Sequence, residues 1–253
     1  MFGIKKYKTG IILSGGAVRG FAHLGVLKAL NENNIFPDAI SGVSAGALVG
    51  AFYADGYSPE EIFEIFSKNS IFDFVKVAIP KNGFLGNKDL TKVLKNNLRA
   101  KNFENLKIDF TLAATNLNKG ELRYFNSGEI IPALIASTSI PILFQPVEIE
   151  NEMYVDGGVF DNLPIVPLEG KCRKIIAVHV NPIGYEKDIK GIMKVAERSF
   201  HLAVGATINS VKEKVKIFIE PDELKSYSLM NVKNAREIFE IGYKATIEKL
   251  KNF

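Results

Sequence analysis

Ser44 is the residue in this chain best placed to do covalent chemistry. It stands at the centre of Gly42-Val43-Ser44-Ala45-Gly46, a G-x-S-x-G segment of the kind that presents a nucleophile on a sharp strand-to-helix turn. Glycines at 42 and 46 remove the side chains that so tight a turn would crowd. A serine oxygen at the start of the following helix also lies where the helix dipole favours developing negative charge. Five-residue patterns recur by chance, so an ordinary small-residue turn remains the competing reading at this point.

A second segment, Ser14-Gly15-Gly16-Ala17-Val18-Arg19-Gly20, is rich enough in glycine to aim several N–H groups into one concavity. A phosphate cradle there would require a terminal Gly-Lys-Ser/Thr or a complete G-x-G-x-x-G. Neither is present, because Ala17 takes the middle glycine position if the first is Gly15. An oxyanion hole requires only two or three donors converging on one oxygen. A tight turn without a ligand is the plain alternative. A third segment, Asp156-Gly157-Gly158, follows the strand-like Met153-Tyr154-Val155. It puts a carboxylate at a strand end with room behind it for another backbone, although such a group taken alone reads as a turn.

The histidines test whether a conventional triad is hidden here. His23 falls in a helix just past the glycine segment, His179 inside an apolar strand, and His201 beside the apolar stripe of a long helix. None carries a motif of its own, so each reads as structural. No two are spaced as metal ligands and no Cys/His cluster exists, so the sequence calls for no metal and no cofactor. The lone Cys172 excludes an internal disulfide and reads as a small buried apolar residue.

The elements needed to position these segments follow from periodicity. Lys8 to Leu13 is a short strand running into the glycine segment, and from Phe21 through Leu24, Leu27 and Leu30 to Asn33 and Asn34 the spacing predicts a helix. Asp38 to Ser41 is a second strand, and Ala45, Leu48, Val49 and Phe52 mark a helix stopped by Gly56. Ser58-Pro59-Glu60-Glu61 is an N-cap with proline at the first helical position. Helices are further expected over Asn87 to Leu98 and Glu129 to Ala136, and strands over Ile108 to Ala114, Leu122 to Phe125 and Lys174 to Val180. Ile189, Ile192, Met193, Ala196, Phe200, Ala203, Val204 and Val211 predict one long amphipathic helix. Lys216 to Ile219 is a late strand and Asn234 to Leu250 a closing helix. Strand, tight turn and helix repeated in this way predict an α/β layered fold.

The chain has 253 residues, 47% hydrophobic and 24% charged, with no repeat or linker-like tract, and a single domain over 1–253 is the economical reading. The N-terminal apolar stretch is too short for a signal peptide, and no segment reaches the length of a spanning helix. The expectation is therefore a cytoplasmic protein with no embedded segment. A net charge of +4 is compatible with transient contact with a membrane surface, while the scattered basic residues give no nucleic-acid signature. The segment Ile71 to Leu85 reads as a buried connection, with a flap over the site as the alternative. No signature for a particular oligomeric state is present.

Taken together, the three segments resemble the patatin-like phospholipase family. Leu13 to Leu27 is similar to the family's opening stretch, and Gly42 to Gly46 follows in the expected order. Ala136-Ser137-Thr138-Ser139-Ile140-Pro141 and Asp156-Gly157-Gly158-Val159-Phe160-Asp161-Asn162-Leu163-Pro164 look like its later signatures. The resemblance covers about residues 8–182, whereas 183–253 carry no signature of it. It implies a three-layer α/β/α fold around a mainly parallel sheet and a lipid acyl hydrolase acting on phospholipid, lysophospholipid or acylglycerol esters. It also implies a Ser44–Asp156 dyad, with Asp156 as base. Gly15, Gly16 and the backbone of Ala17 would form the oxyanion hole, with Arg19 beside it and Gly42, Gly46, Gly157 and Gly158 in support. Ala17 departs from the family, which usually has a third glycine; a positive φ there would strain alanine. Acyl transfer to an alcohol, or a regulatory lipid-binding role, remain the alternative outcomes of the same site.

Overall fold

The structure, a computed structural model, describes residues 6–69, 71, 87–141, 143–205, 208–229 and 231–251. In chain order the strands are β1 (Tyr7–Leu13), β2 (Ala39–Val43), β3 (Asp109–Asn116), β4 (Glu121–Phe125), β5 (Val147–Ile149), β6 (Glu152–Asp156), β7 (Cys172–Val178) and β8 (Ile217–Ile219). The helices are α1 (Phe21–Glu32), α2 (Ala45–Ala54), α3 (Pro59–Lys68), α4 (Lys88–Asn97), α5 (Ile130–Thr138), α6 (Ile192–Gly205), α7 (Ile208–Lys212) and α8 (Ala235–Lys251).

The strands form one open sheet in the order β5-β6-β3-β2-β1-β7-β8, with β4 also paired to β3. The pairs β3–β2, β2–β1, β1–β7 and β7–β8 are parallel, and β4, β5 and β6 enter antiparallel. A parallel strand covered on both faces reads as a continuous apolar run, and β1 shows this. Ile11 and Leu13 join the large cluster packed by α1, α2, α5 and α8, while Ile12 joins a smaller cluster with Leu163, Leu168, Ile208 and Val211. The stretch beyond residue 183 shares the large cluster through Ile217, Ile219, Leu224, Ile238 and Phe239.

A local signal accounts for the start of α3. Ser58 Oγ accepts the Glu61 N–H at 3.2 Å and the Glu61 carboxylate accepts the Ser58 N–H at 2.7 Å, so α3 opens on a reciprocal capping box. One expectation is corrected at its start. The helix predicted from Ile189 begins only at Ile192; it is described as α6 to Gly205 and again as α7 from Ile208, with residues 206–207 outside the described residues. Ile189 and Ile192, expected on its buried stripe, are exposed. Of the segment 71–85, Ile71 is buried and the rest lies outside the described residues. No helix among the described residues is long and apolar enough to cross a membrane.

Candidate active site

The sheet brings the three segments together at one edge. Leu13 at the end of β1 lies opposite Gly42 of β2 and opposite Val178 of β7. The loops leaving these three parallel strands therefore emerge side by side, and β1 is where the order of connections reverses. Open α/β sheets form their ligand crevices at this position.

Ser44 follows β2 directly, at φ 53° and ψ −123°, a backbone region that strains a non-glycine residue. Its surroundings hold it there. The Ser44 N–H donates to Ser137 Oγ at 3.0 Å, and the Ser137 hydroxyl donates onward to the Ala113 carbonyl at 2.7 Å. The Ser44 carbonyl accepts the Leu48 N–H at 3.1 Å and so caps α2. A Cβ on Gly42 would stand 2.7 Å from the Gly46 oxygen, and one on Gly46 would collide with the Leu13 carbonyl. Both elbow glycines are thus required by close backbone approach.

Asp156 arrives from the opposite direction. On β3, Ala113 is paired with Val43 of β2 and the next residue, Ala114, with Asp156 of β6. Since β4 occupies the other edge of β3 over the same residues, β2 and β6 meet end to end along one edge. The register therefore sets the residue after Val43 beside Asp156. The Asp156 N–H donates to the Ser139 carbonyl at 2.9 Å, and its own carbonyl accepts Thr115 Oγ1 at 3.0 Å. Gly157 fits against the Ala113 carbonyl, where a Cβ would stand 2.5 Å away.

The Asp156 carboxyl is 3% exposed. Burial pushes its pKa up to about 6, against the opposing pull of the neighbouring Ser44 hydroxyl and of the Gly158 N–H, which donates to Oδ1 at 2.8 Å. A carboxylate so tuned is a better base near neutral pH than an ordinary one.

The glycine segment lies against this pair, close enough that a Cβ on Gly15 would stand 3.1 Å from Ser44 Cβ. Ala17 does adopt a positive φ, 46°, the strained region in which glycine is favoured. Gly15, expected among the oxyanion donors, gives its N–H to Asn162 Oδ1 at 3.0 Å. Asn162 was noted only as part of a signature; its buried Nδ2 has no partner among the described residues. The Val18 N–H donates to the Leu229 carbonyl at 3.1 Å, and Arg19 folds back to bind Tyr227 and Asn181.

Gly15, Gly16, Ala17, Ser44, Asp156 and Gly158 line one cavity of about 80 Å³, closed by Ile140, Leu143, Val204 and Leu229. The histidines are engaged elsewhere. His23 Nε2 bonds the Ser14 carbonyl at 2.8 Å, and burial drives its pKa down to about 4, so it is neutral. His179 Nδ1 pairs with Glu220 at 2.7 Å. His201 lines the cavity, but its nitrogen faces the Asn181 carbonyl at 3.4 Å. Among the described residues no group of three His, Cys, Asp or Glu side chains could hold a metal.

Comparison with known proteins agrees with this architecture. A lysophospholipase, NTE1, of Kluyveromyces lactis is 26% identical over 269 residues, covering 93% of this chain and 18% of that protein. The uncharacterised NTE family protein Rv1063c of Mycobacterium tuberculosis is 30% identical over 177 residues, covering 69% of this chain and 49% of the relative. The chain thus spans about a fifth of the fungal relative's length and about half of the mycobacterial one's. The crystal structure of VipD from Legionella pneumophila superposes with a TM-score of 0.58 at 17% identity, over 98% of this chain and 67% of that one, a likeness of fold. The profile of the patatin-like phospholipase family matches residues 11–168, which hold both the Ser44 elbow and Asp156, and the chain belongs to that family.

Proposed function

We propose that the protein hydrolyses carboxylic esters of lipids through an acyl-enzyme on Ser44, with Asp156 as the only general base. The observation that carries this reading is Ser44 set beside the buried Asp156 carboxylate and a backbone loop in one cavity, with all three histidines bonded elsewhere. Ser44 Oγ attacks the ester carbonyl as its proton passes to Asp156. The tetrahedral oxyanion takes the N–H groups of Gly16 and Ala17, while Gly15 is anchored by Asn162. Collapse expels the alcohol, which takes the proton back from Asp156. Water then attacks the acyl-enzyme with Asp156 again as base, releasing the fatty acid and free Ser44. Family membership and the lysophospholipase relatives support a lipid ester as substrate.

The direct test is a fluorophosphonate probe on the folded protein followed by peptide mapping. The expected outcome is a single phosphonylated serine, Ser44, formed with loss of fluoride. A label on another serine, or none, refutes the assignment.

The proposal includes contact with a lipid surface through α6. Ile192, Val195, Ser199, Leu202 and Ala203 share the outward face of that helix, and Ile192 is 84% exposed. The inward face carries His201 and Val204, which wall the Ser44 cavity. An uncharged outward face on a helix flanking the cavity suits insertion among lipid chains. The double substitution Ile192→Asp and Leu202→Asp is expected to weaken co-flotation with lipid vesicles by about tenfold or more, since each buried aliphatic side chain contributes roughly 1.5–3 kcal/mol. Unchanged flotation of the variant discounts α6 as the contact.

A further inference from the structure

A second cavity, of about 320 Å³, adjoins the first, and His201 and Leu229 line both. Its walls carry Arg19, Lys194, Arg198 and Lys225, against Glu186 as the single carboxylate among the described lining residues. Lys225 is paired with Asp222 at 3.0 Å, and Arg198 donates to the Gly184 carbonyl at 2.7 Å. The decisive residue is Arg19. It is 6% exposed, and its hydrogen-bond partners among the described residues are neutral oxygens: Tyr227 O at 2.9 Å, Asn181 Oδ1 at 2.9 Å and Pro182 O at 3.4 Å. No carboxylate among the described residues pairs with it. Burial lowers its pKa to about 10, so the guanidinium stays charged at neutral pH. A buried charge without a counter-ion is costly, and an entering anion removes that cost.

We propose that this cavity is a subsite for the phosphate of a lipid head group, holding a phosphorylated glycerol ester with its scissile carbonyl at Ser44. The inference deepens the lipid-ester reading above and rests on it. Several cations around one cavity match an oxyanion with oxygens on several sides, and guanidinium groups match phosphate geometry. Because His201 and Leu229 line both cavities, an ester at Ser44 and an anion here would lie on either side of the same two residues, an arrangement the glycerol of a lysophospholipid would have to bridge. Lys194, Arg198 and Lys225 all lie beyond residue 168, outside the stretch matched by the family profile. The subsite thus joins Arg19, inside that stretch, to three cations from the C-terminal part.

The test compares kcat/KM for lysophosphatidylcholine with kcat/KM for a monoacylglycerol of the same acyl chain, in wild type and in Arg198→Gln, Lys225→Gln and the double variant. The ratio is expected to fall by about tenfold or more in each single variant, the worth of one charge-assisted hydrogen bond. An unchanged ratio, even with both rates lowered, overturns the subsite. Wild type that cleaves neither ester instead overturns the lipid-ester reading on which it rests. A second arm titrates Ser44→Ala protein with glycerophosphocholine and with inorganic phosphate in a calorimeter. Binding of glycerophosphocholine that is lost in the added double variant supports the head-group assignment. Binding of inorganic phosphate alone makes the cavity a free-phosphate site and overturns it.

Discussion

Asp156→Asn is expected to lower kcat by about 100- to 10,000-fold, the usual worth of a general base, while leaving the fold intact. Asparagine keeps the shape of the side chain, and its oxygen can still accept the Gly158 N–H that now reaches Asp156 Oδ1. What it lacks is the capacity to take the Ser44 proton. The same substitution is expected to hold or raise thermal stability near pH 7, and the sign follows from linkage. The folded-state pKa of about 6 lies above the ordinary 3.8. Folding thus favours the protonated acid, and stability declines as pH rises from about 4 through about 6. Over that window the ionised carboxylate costs on the order of 3 kcal/mol, which asparagine does not incur. Wild-type kcat/KM should move in the opposite sense, falling as pH drops through about 6, because only the ionised form is a base. His23→Ala, His179→Ala and His201→Ala supply the contrast, each checked by circular dichroism because all three side chains are buried. Retention of most of kcat by Asp156→Asn, or a folded histidine variant without activity, would falsify the dyad.

The chemistry of this site was legible in the sequence where the constraint is local. Gly42 and Gly46 are demanded by a turn whose residues are neighbours in the chain, and the strain at Ala17 follows from a glycine position filled by alanine. The start of α3 was equally legible, since Ser58 and Glu61 satisfy each other within one turn. The placement of Asp156 beside Ser44 is legible only through the family resemblance and not through spacing, as it depends on β2 and β6 meeting along one edge of β3. Strand pairing between distant segments leaves no mark in the spacing of either. Ser137 and Asn162 escaped a role for the same reason. They act across 93 and 147 residues, on Ser44 and Gly15 respectively, and only the quoted signatures held a trace of them. The α6 region shows a different gap. Periodicity tells which residues share a helix face, and Ile192 was placed on an apolar stripe. It does not tell whether that face turns inward, and the structure turns Ile192 outward.

Gly16→Val is expected to reduce kcat by about 100- to 1000-fold, the usual loss on removing one oxyanion donor, with a much smaller change in KM. Gly16 sits between the β1 end and the Ala17 turn, and a Cβ on it would stand 2.7 Å from Val180 Cγ2. Val180 has little room to yield: it is fully buried, and its N–H donates to Ser14 Oγ at 3.0 Å. The loop must therefore move instead, carrying with it the N–H groups of Gly16 and Ala17. Gly15 cannot replace them as a donor while Asn162 Oδ1 holds its N–H. The ground-state ester needs these donors less than the tetrahedral oxyanion does, so the loss falls on the chemical step. Steady-state kinetics on a dissolved nitrophenyl ester, with folding checked by circular dichroism, separates the two parameters. A rise in KM at constant kcat would make the loop a substrate-binding feature and leave the oxyanion without an assigned partner.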